Sequence, residues 1–393
     1  MANGLRDLFL LDEEVTFLNH GSYGACPKPV FARYQEWQVQ LERQPVAFLD
    51  IQRGYGRWMA ETRTALAEEL NVRPDDLAGF SNVTHALNVV ARSLPLSEGD
   101  EILTTDHEYA ALEKTWAFVT QRTGARIVVA EVPLPLTSAG AFTGALKEKM
   151  TDRTRVLFLS HITSPTALLF PIEEIVAEAR RRDIWTVIDG AHSPGQIKLD
   201  LTALDADFYA GNCHKWLMSP KGAGFLHARA DHQHLMQPLA VSHGWQPDRH
   251  GPGPFGGTAF VDTMEMQGTR DPAAWLSVPE ALAFRRAHDW WEVVRGCSDL
   301  AWETAQRVVQ MTGLPLLASR AFCAPQMVSM EVPRCDFLWL HDALLDRHGI
   351  EIPTMDWKGR TFVRVSVQGY NTAAEMDLLV EALADVLSLP AAA

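Results

Sequence analysis

The sequence predicts an α/β fold in which a large domain with a mainly parallel sheet, covered by helices, precedes a smaller α+β domain. Three observations carry this. Short β-branched runs alternate with longer amphipathic stretches through the middle of the chain. The alternation dissolves at residues 237–268 into Gly, Pro and His, and strand and helix patterns resume to the C-terminus. The 393 residues, 47% hydrophobic and 21% charged, suffice for one large or two medium cores and exclude a disordered or fibrous chain.

The elements follow in chain order. An amphipathic helix is expected at 57–70, ending before the turn-like NVRPDD, and another at 109–123. Strands are expected at 127–132 and 156–162, then a helix at 172–182, then strands at 185–189, 208–210 and 224–227. The irregular stretch 237–268, which includes HGWQPDRHGPGPFGG, is long enough to imply a functional or interfacial role. Beyond it, 272–288 reads as a helix with Pro in its first turn and 290–311 as a second, with a domain boundary nearby. Strands at 328–332 and 362–367 and helices at 337–348 and 373–387 complete the smaller domain.

Charge and cysteine usage narrow the function. Lys and Arg number 35 against 49 Asp and Glu, a net charge of −14, which argues against a phosphate-neutralising surface and so against a nucleic-acid partner. No apolar run approaches a membrane span, and MANGLRDLFLLDEEV breaks its apolar stretch with charges too early for a secretory signal, so a cytoplasmic protein is expected. The cysteines, Cys26, Cys213, Cys297, Cys323 and Cys335, are scattered without a C-x-x-C pair, and neither a disulfide framework nor a metal site is expected.

The chemistry centres on two residues. WTVIDGAH reads as a buried parallel strand that delivers Asp189 to its carboxyl end, where ligand sites of α/β sheets form. A lone Asp there more often caps the next turn, but the following DFYAGNCHKWLMSPKGAGFL puts Lys215 at a second strand end, just before a glycine-rich turn. Lys215 is bracketed by Cys213, His214, Trp216 and Leu217, a poor setting for a solvated surface lysine. Pyridoxal phosphate chemistry needs this pair: a lysine to form the Schiff base and an acid to keep the pyridine nitrogen protonated.

Motifs spread along the chain then point to a family. They are FLNHGSYGACP at 17–27, NVT at 82–84, DHEY at 106–109, SHITSPT at 160–166, DGAH at 189–192, HKW at 214–216, GTRD at 268–271 and VRVSVQGYNT at 363–372. With them the sequence resembles the class V aminotransferase family of fold-type I pyridoxal phosphate enzymes, and within it the isopenicillin N epimerase-like branch. The resemblance implies a large domain built on a seven-stranded-type sheet. It divides the chain into an N-terminal arm at the active-site entrance (1–20), the large cofactor-binding domain (21–270) and the small domain (271–393).

Carried over by position, the resemblance implies that Lys215 bonds the cofactor, Asp189 pairs with the pyridinium nitrogen and His192 lies near the ring hydroxyl, with Ser164 and Thr163 as further candidates for that oxygen. Tyr109 falls where relatives stack an aromatic ring on the pyridine; a packed core tyrosine is the plainer alternative. Asn82, Val83 and Thr84 match the phosphate cradle at a helix start, although Thr84 would also serve as a simple N-cap. Asn212 and His214 would add phosphate contacts, and Thr269 would reach the phosphate of a neighbouring subunit, making a homodimer part of the site. Arg364 matches the arginine that grips the substrate α-carboxylate. Asn19, His20 and Gly21 resemble the loop that approaches the substrate.

Departures matter too. Asn212 stands where many relatives have Ser or Thr, and Ala167 where they have glycine. No cysteine follows Cys335, and the segment GIEIPTMDWKGR before the carboxylate-binding arginine holds none, which disfavours a desulfurase that parks sulfur on a thiolate there. A C–S β-lyase acting on a cysteine S-conjugate, as in natural-product and thiol metabolism, is the leading expectation because it needs no second base opposite Lys215. Epimerisation follows closely and would call on Tyr109, His20 or Tyr23. Transamination, decarboxylation and a catalytically silent assembly subunit rank below. Residues 237–268, with His243, Trp245, His250 and Phe255, and 355–357 are expected to shape the distal pocket or else a dimer contact.

Overall fold

A computed structural model describes residues 5–389 of the chain. Its strands, in chain order, are β1 (Thr16–Phe17), β2 (Leu77–Phe80), β3 (Glu101–Thr105), β4 (Arg126–Ala130), β5 (Thr154–Ser160), β6 (Trp185–Gly190), β7 (Phe208–Asn212), β8 (Gly224–Ala228), β9 (Met327–Val332), β10 (Ile350–Glu351), β11 (Thr354–Trp357) and β12 (Arg360–Ser366). A seven-stranded sheet in the order β2-β8-β7-β6-β5-β3-β4 forms the large domain, with β8 antiparallel to both its neighbours and the other pairings parallel. This is the fold-type I architecture expected.

Apolar cores lie on both faces of that sheet. Leu103, Leu157, Leu159, Ile188, Tyr209 and Phe225 face one, and Ile102, Val156, Phe158, Val187, Phe208 and Leu226 the other. The strict alternation within β5, β6 and β7 is the period of two expected of a strand covered on both sides. Helices Gly56–Leu70 and Glu173–Arg181 pack in the first layer, and Val83–Ser93 and Ala110–Thr123 in the second.

The small domain is an antiparallel sheet in the order β11-β12-β9, with helices Trp290–Thr312, Phe337–His348 and Ala373–Val386 against it. The last helix opens on a capping box, Thr372 with Glu375. The N-terminal arm is tied to this domain by the parallel pairing of β1 with β10.

Three sequence expectations need correction. The helix expected over 272–288 is two helices, Ala273–Leu276 and Val278–Ala287, because Pro279 lacks the N–H that would bond Trp275. Both pack into the core beneath the large sheet through Trp275, Leu276, Val278 and Leu282. The irregular stretch contains a fully buried helix, Ala259–Glu265, whose cap Thr258 accepts the Val261 N–H. Finally, β2 and β3 went unread. β3 opens on a buried Glu101, held by Arg126 and Thr151, and has only Ile102 and Leu103 before two threonines. In β2 the apolar run is interrupted by Gly79, where a Cβ would lie 2.8 Å from the Trp275 ring.

Candidate active site

The two residues singled out first arrive from adjacent strands. Asp189 is the penultimate residue of β6 and is buried; its Oδ1 accepts the Ala191 N–H at 2.8 Å, so one oxygen does cap the turn, as the plainer reading held. Burial pushes its carboxyl up to about 6, against the pull of Lys215. Lys215 stands three residues beyond β7, and its Nζ lies 3.2 Å from His192 Nε2. Burial and the nearby Arg364 lower its amine to about 7, with Asp189 opposing. His192 also faces the Trp216 indole N–H through Nδ1, at 3.4 Å.

One wall of the cavity is a helix start. Asn82, not Thr84, caps helix Val83–Ser93, its Oδ1 accepting the His85 N–H at 2.9 Å. Asn212 reaches across from β7 to accept the Val83 N–H at 3.1 Å. With those two donors engaged, Thr84 between them lines the cavity at the positive end of the helix. Gly224 keeps this contact close, since a Cβ there would lie 3.0 Å from Asn82 Cα. His214 lines the cavity too, but its Nδ1 bonds the Ala223 carbonyl at 3.1 Å. The neutral ring therefore offers only an acceptor at Nε2, and burial lowers its pKa to about 4. The cation on this wall is Lys221, which the sequence reading did not single out.

The small domain supplies the opposite side. Val363 and Val365 point into its core, which by strand alternation turns Arg364 towards the large domain. Its guanidinium donates to the Ser164 carbonyl at 2.6 Å, to Ser164 Oγ at 3.1 Å and to Ser22 Oγ at 3.2 Å, while the buried Nε has no partner among the described residues. Burial lowers its pKa to about 10, and Tyr109 lies close enough to raise it. Tyr109 and Tyr23 both line the cavity and are 45% and 71% exposed, so neither is a packed core tyrosine.

Together these residues bound a cavity of about 400 Å³. Asn82, Val83, Thr84, Tyr109, Ser164, Asp189, His192, Asn212, His214, Lys215, Arg364 and Gly21 all line it. Asn19, His20 and Thr269 do not. Asn19 donates to Glu351. His20 is fully buried, with Nδ1 2.9 Å from Tyr370 Oη and Nε2 3.0 Å from the Lys215 carbonyl, and desolvation lowers it to about 3. Thr269 lies exposed, away from the cavity. Thr163 turns instead to Thr166, at 2.8 Å. Residues 237–268 and 355–357 contribute nothing to the lining, so within one chain they do not shape a distal pocket. Trp357 packs at a tilt against His107, the ring centroids 4.6 Å apart.

The sequence reading also passed over Ser160 and Glu108, although both lie in quoted motifs. Ser160 lines the cavity and pairs in register with Asp189. Its N–H and Oγ both donate to Glu108 Oε2, at 2.9 and 2.6 Å, and Thr105 Oγ1 donates to Oε1 at 2.6 Å. Burial pushes the Glu108 carboxyl up to about 8.

The aminotransferase class-V family profile matches residues 26–379. The chain belongs to the class-V aminotransferase family. Curated relatives include the isopenicillin N epimerase of Amycolatopsis lactamdurans, 38% identical with 97% of each chain covered. That of Streptomyces clavuligerus is 34% identical over 96% of each. A probable L-cysteine desulfhydrase of Arabidopsis thaliana is 26% identical over 95% of this chain and 83% of its own. Among solved structures, the cysteine desulfurase CsdA of Escherichia coli has a TM-score of 0.81 at 22% identity, covering 98% of each chain. A C-DES variant with glycine covalently linked to its cofactor has a TM-score of 0.83 at 23% identity, covering 97% of this chain and 99% of its own.

This family member is therefore a pyridoxal phosphate-dependent enzyme of the lyase or isomerase kind. Its cavity fits the cofactor on its own terms. It joins an amine, a buried carboxyl, a helix N-terminus with a cation beside it, and an arginine with an unpartnered buried Nε. Among the described residues no helix is long and apolar enough to cross a membrane.

Proposed function

We propose that this enzyme is a C–S β-lyase acting on a small cysteine-type α-amino acid, with Lys215 as the cofactor-bonding residue and the base at Cα. The observation that carries the reading is the convergence of Lys215, Asp189 and Arg364 on one cavity of about 400 Å³, near the small end of ligand pockets, whose lining includes no cysteine. Such a cavity, shared with the cofactor, suits a small substrate better than a tripeptide-sized one.

Pyridoxal phosphate supplies the electron sink that stabilises negative charge at the substrate Cα. Thr84 with its backbone N–H, Lys221 and the Asn212 amide nitrogen would hold its phosphate end, and Asp189 would hold a proton at the ring nitrogen. A carboxyl raised to about 6 is suited to sharing that proton. His192 would present its Nε2 to the ring hydroxyl. Arg364 binds the α-carboxylate, with Ser164 and Ser22 fixing the guanidinium plane. This clamp orients the Cα–H bond, not the carboxylate, for cleavage. Lys215, lowered to about 7, takes the α-proton at neutral pH. The β-sulfur then leaves with its bonding electrons and takes up a proton as the thiol, and one water converts the remaining three-carbon fragment to pyruvate and ammonia.

A second reading, epimerisation of an amino acid, is favoured by the identity to two isopenicillin N epimerases and by Tyr109 at the cavity wall as a second acid/base. The test is a panel of cysteine S-conjugates and L- and D-amino acids. Pyruvate formation with loss of the conjugate supports the lyase, whereas inversion at Cα without pyruvate supports the epimerase.

The exposed Thr269 reads as a contribution to a second copy's phosphate site, so the working unit is a homodimer. Thr269→Ala is expected to weaken cofactor retention about tenfold, the loss of one hydrogen bond to a charged group, as measured by dialysis and absorbance. Unchanged retention, or a monomer in sedimentation, defeats this part.

A further inference from the structure

Trp216 is completely buried, and its indole N–H, a group that can only donate, is directed at His192 Nδ1 at 3.4 Å. The receiving nitrogen must therefore hold a lone pair, because a proton there would set two donors against each other and orphan the indole N–H. A neutral imidazole with a lone pair on Nδ1 carries its proton on Nε2. That nitrogen faces Lys215 Nζ at 3.2 Å. An N–H aimed at Nζ requires a lone pair in return, which the amine has and the ammonium lacks. The groups around this pair act in the same sense or are weaker. Arg364 on β12 disfavours a cation at either residue, His214 and His20 near His192 are themselves neutral, and Asp189 alone opposes it at Lys215.

We infer that Trp216 is a positioning residue: by fixing the His192 proton on Nε2 it holds the Lys215 amine unprotonated and ready to combine with the cofactor. The HKW motif then joins the lysine and the residue that sets its protonation through a third side chain, His192, delivered by the neighbouring β6 turn. Trp216 touches neither substrate nor reacting atoms. The inference rests on the assignment of Lys215 made above, and the two fail differently. A visible cofactor band surviving in Lys215→Ala defeats the assignment and leaves the tautomer untouched.

The test reads the tautomer first. Nitrogen NMR of the full-length wild-type chain, freed of cofactor, is expected to show His192 protonated at Nε2 and bare at Nδ1; a proton on Nδ1 overturns the inference without any variant. Trp216→Phe keeps a flat apolar ring and removes the donor. The pH midpoint for development of the visible band on adding pyridoxal phosphate is expected to rise by about one unit, which makes combination about tenfold slower below it. A uniform slowing at every pH, the mark of lost packing alone, overturns the inference, as does an unchanged profile. In a His192→Gln background the same substitution is expected to cause no further shift, and an equal shift there also overturns it.

Discussion

Two irregular segments of this chain are alike in composition and opposite in fate. Residues 213–224 and 237–268 are both rich in Gly, Pro, His and aromatic residues. The first leaves β7 and returns as β8, so both its ends are held in the central sheet. Cys213, Trp216, Leu217, Met218 and Ala223 are completely buried within it. The second is held partly by the core, through its buried helix Ala259–Glu265 and the bonds of Glu265 to Arg63 and the Gly79 N–H, and otherwise by its own atoms. Asp262 accepts the Phe255 N–H, Arg249 donates to Thr263 and to the Met236 carbonyl, and Gln246 donates to the Pro252 carbonyl. Its Val241 and Trp245 face outwards, 70% and 40% exposed. The contrast teaches that composition marks a segment as irregular, whereas attachment to the carboxyl ends of parallel strands makes it a site. There burial and converging backbone ends shift the ionisation of both Lys215 and Asp189.

Substitutions test the contrast, beginning with the largest effect. Lys215→Ala is expected to abolish the visible cofactor band and lower turnover about 10³-fold or more; normal turnover would remove the first segment from the site. Arg364→Ala is expected to raise KM roughly 10²-fold with a smaller change in kcat, since it deletes a charged partner of the substrate carboxylate; steady-state kinetics decide.

Glu108→Gln sharpens the picture of burial behind the site. The folded carboxyl titrates near 8 and the unfolded one near 4.5, so the native state binds more protons between those values and wild-type stability falls as pH rises through that window. Glutamine has no proton to lose, so its melting temperature is expected to exceed wild type by about 2 °C at pH 8 and to show no such gain below pH 4.5. A gain of equal size at both pH values would mean that Glu108 is ionised in the fold. The smallest effect belongs to the second segment: His243→Ala is expected to leave kcat/KM within about twofold. A loss near that of Arg364→Ala would show that this segment reaches a site after all.

Much of the site was legible because its chemistry is local in sequence. Asp189 and His192 share one turn, and Lys215 and Trp216 share another; a buried run ending in an acid or an amine announces itself. The strands of the large domain were legible for the same reason wherever their residues are apolar throughout. What escaped notice was set by partners far away in the chain. Glu101 can open β3 buried because Arg126 and Thr151 satisfy it, and Gly79 sits inside β2 because Trp275 fills the space above it. His20 looked like a substrate residue from its motif, yet Tyr370 and the Lys215 carbonyl claim both its nitrogens. The sequence by itself determined the fold family, the cofactor and the residue types of the cavity, since these depend on periodicity and on motifs that bring their own chemistry. The tertiary structure alone decided which of those side chains face the cavity and in what protonation state, because direction and desolvation arise only when strands distant in sequence are packed together.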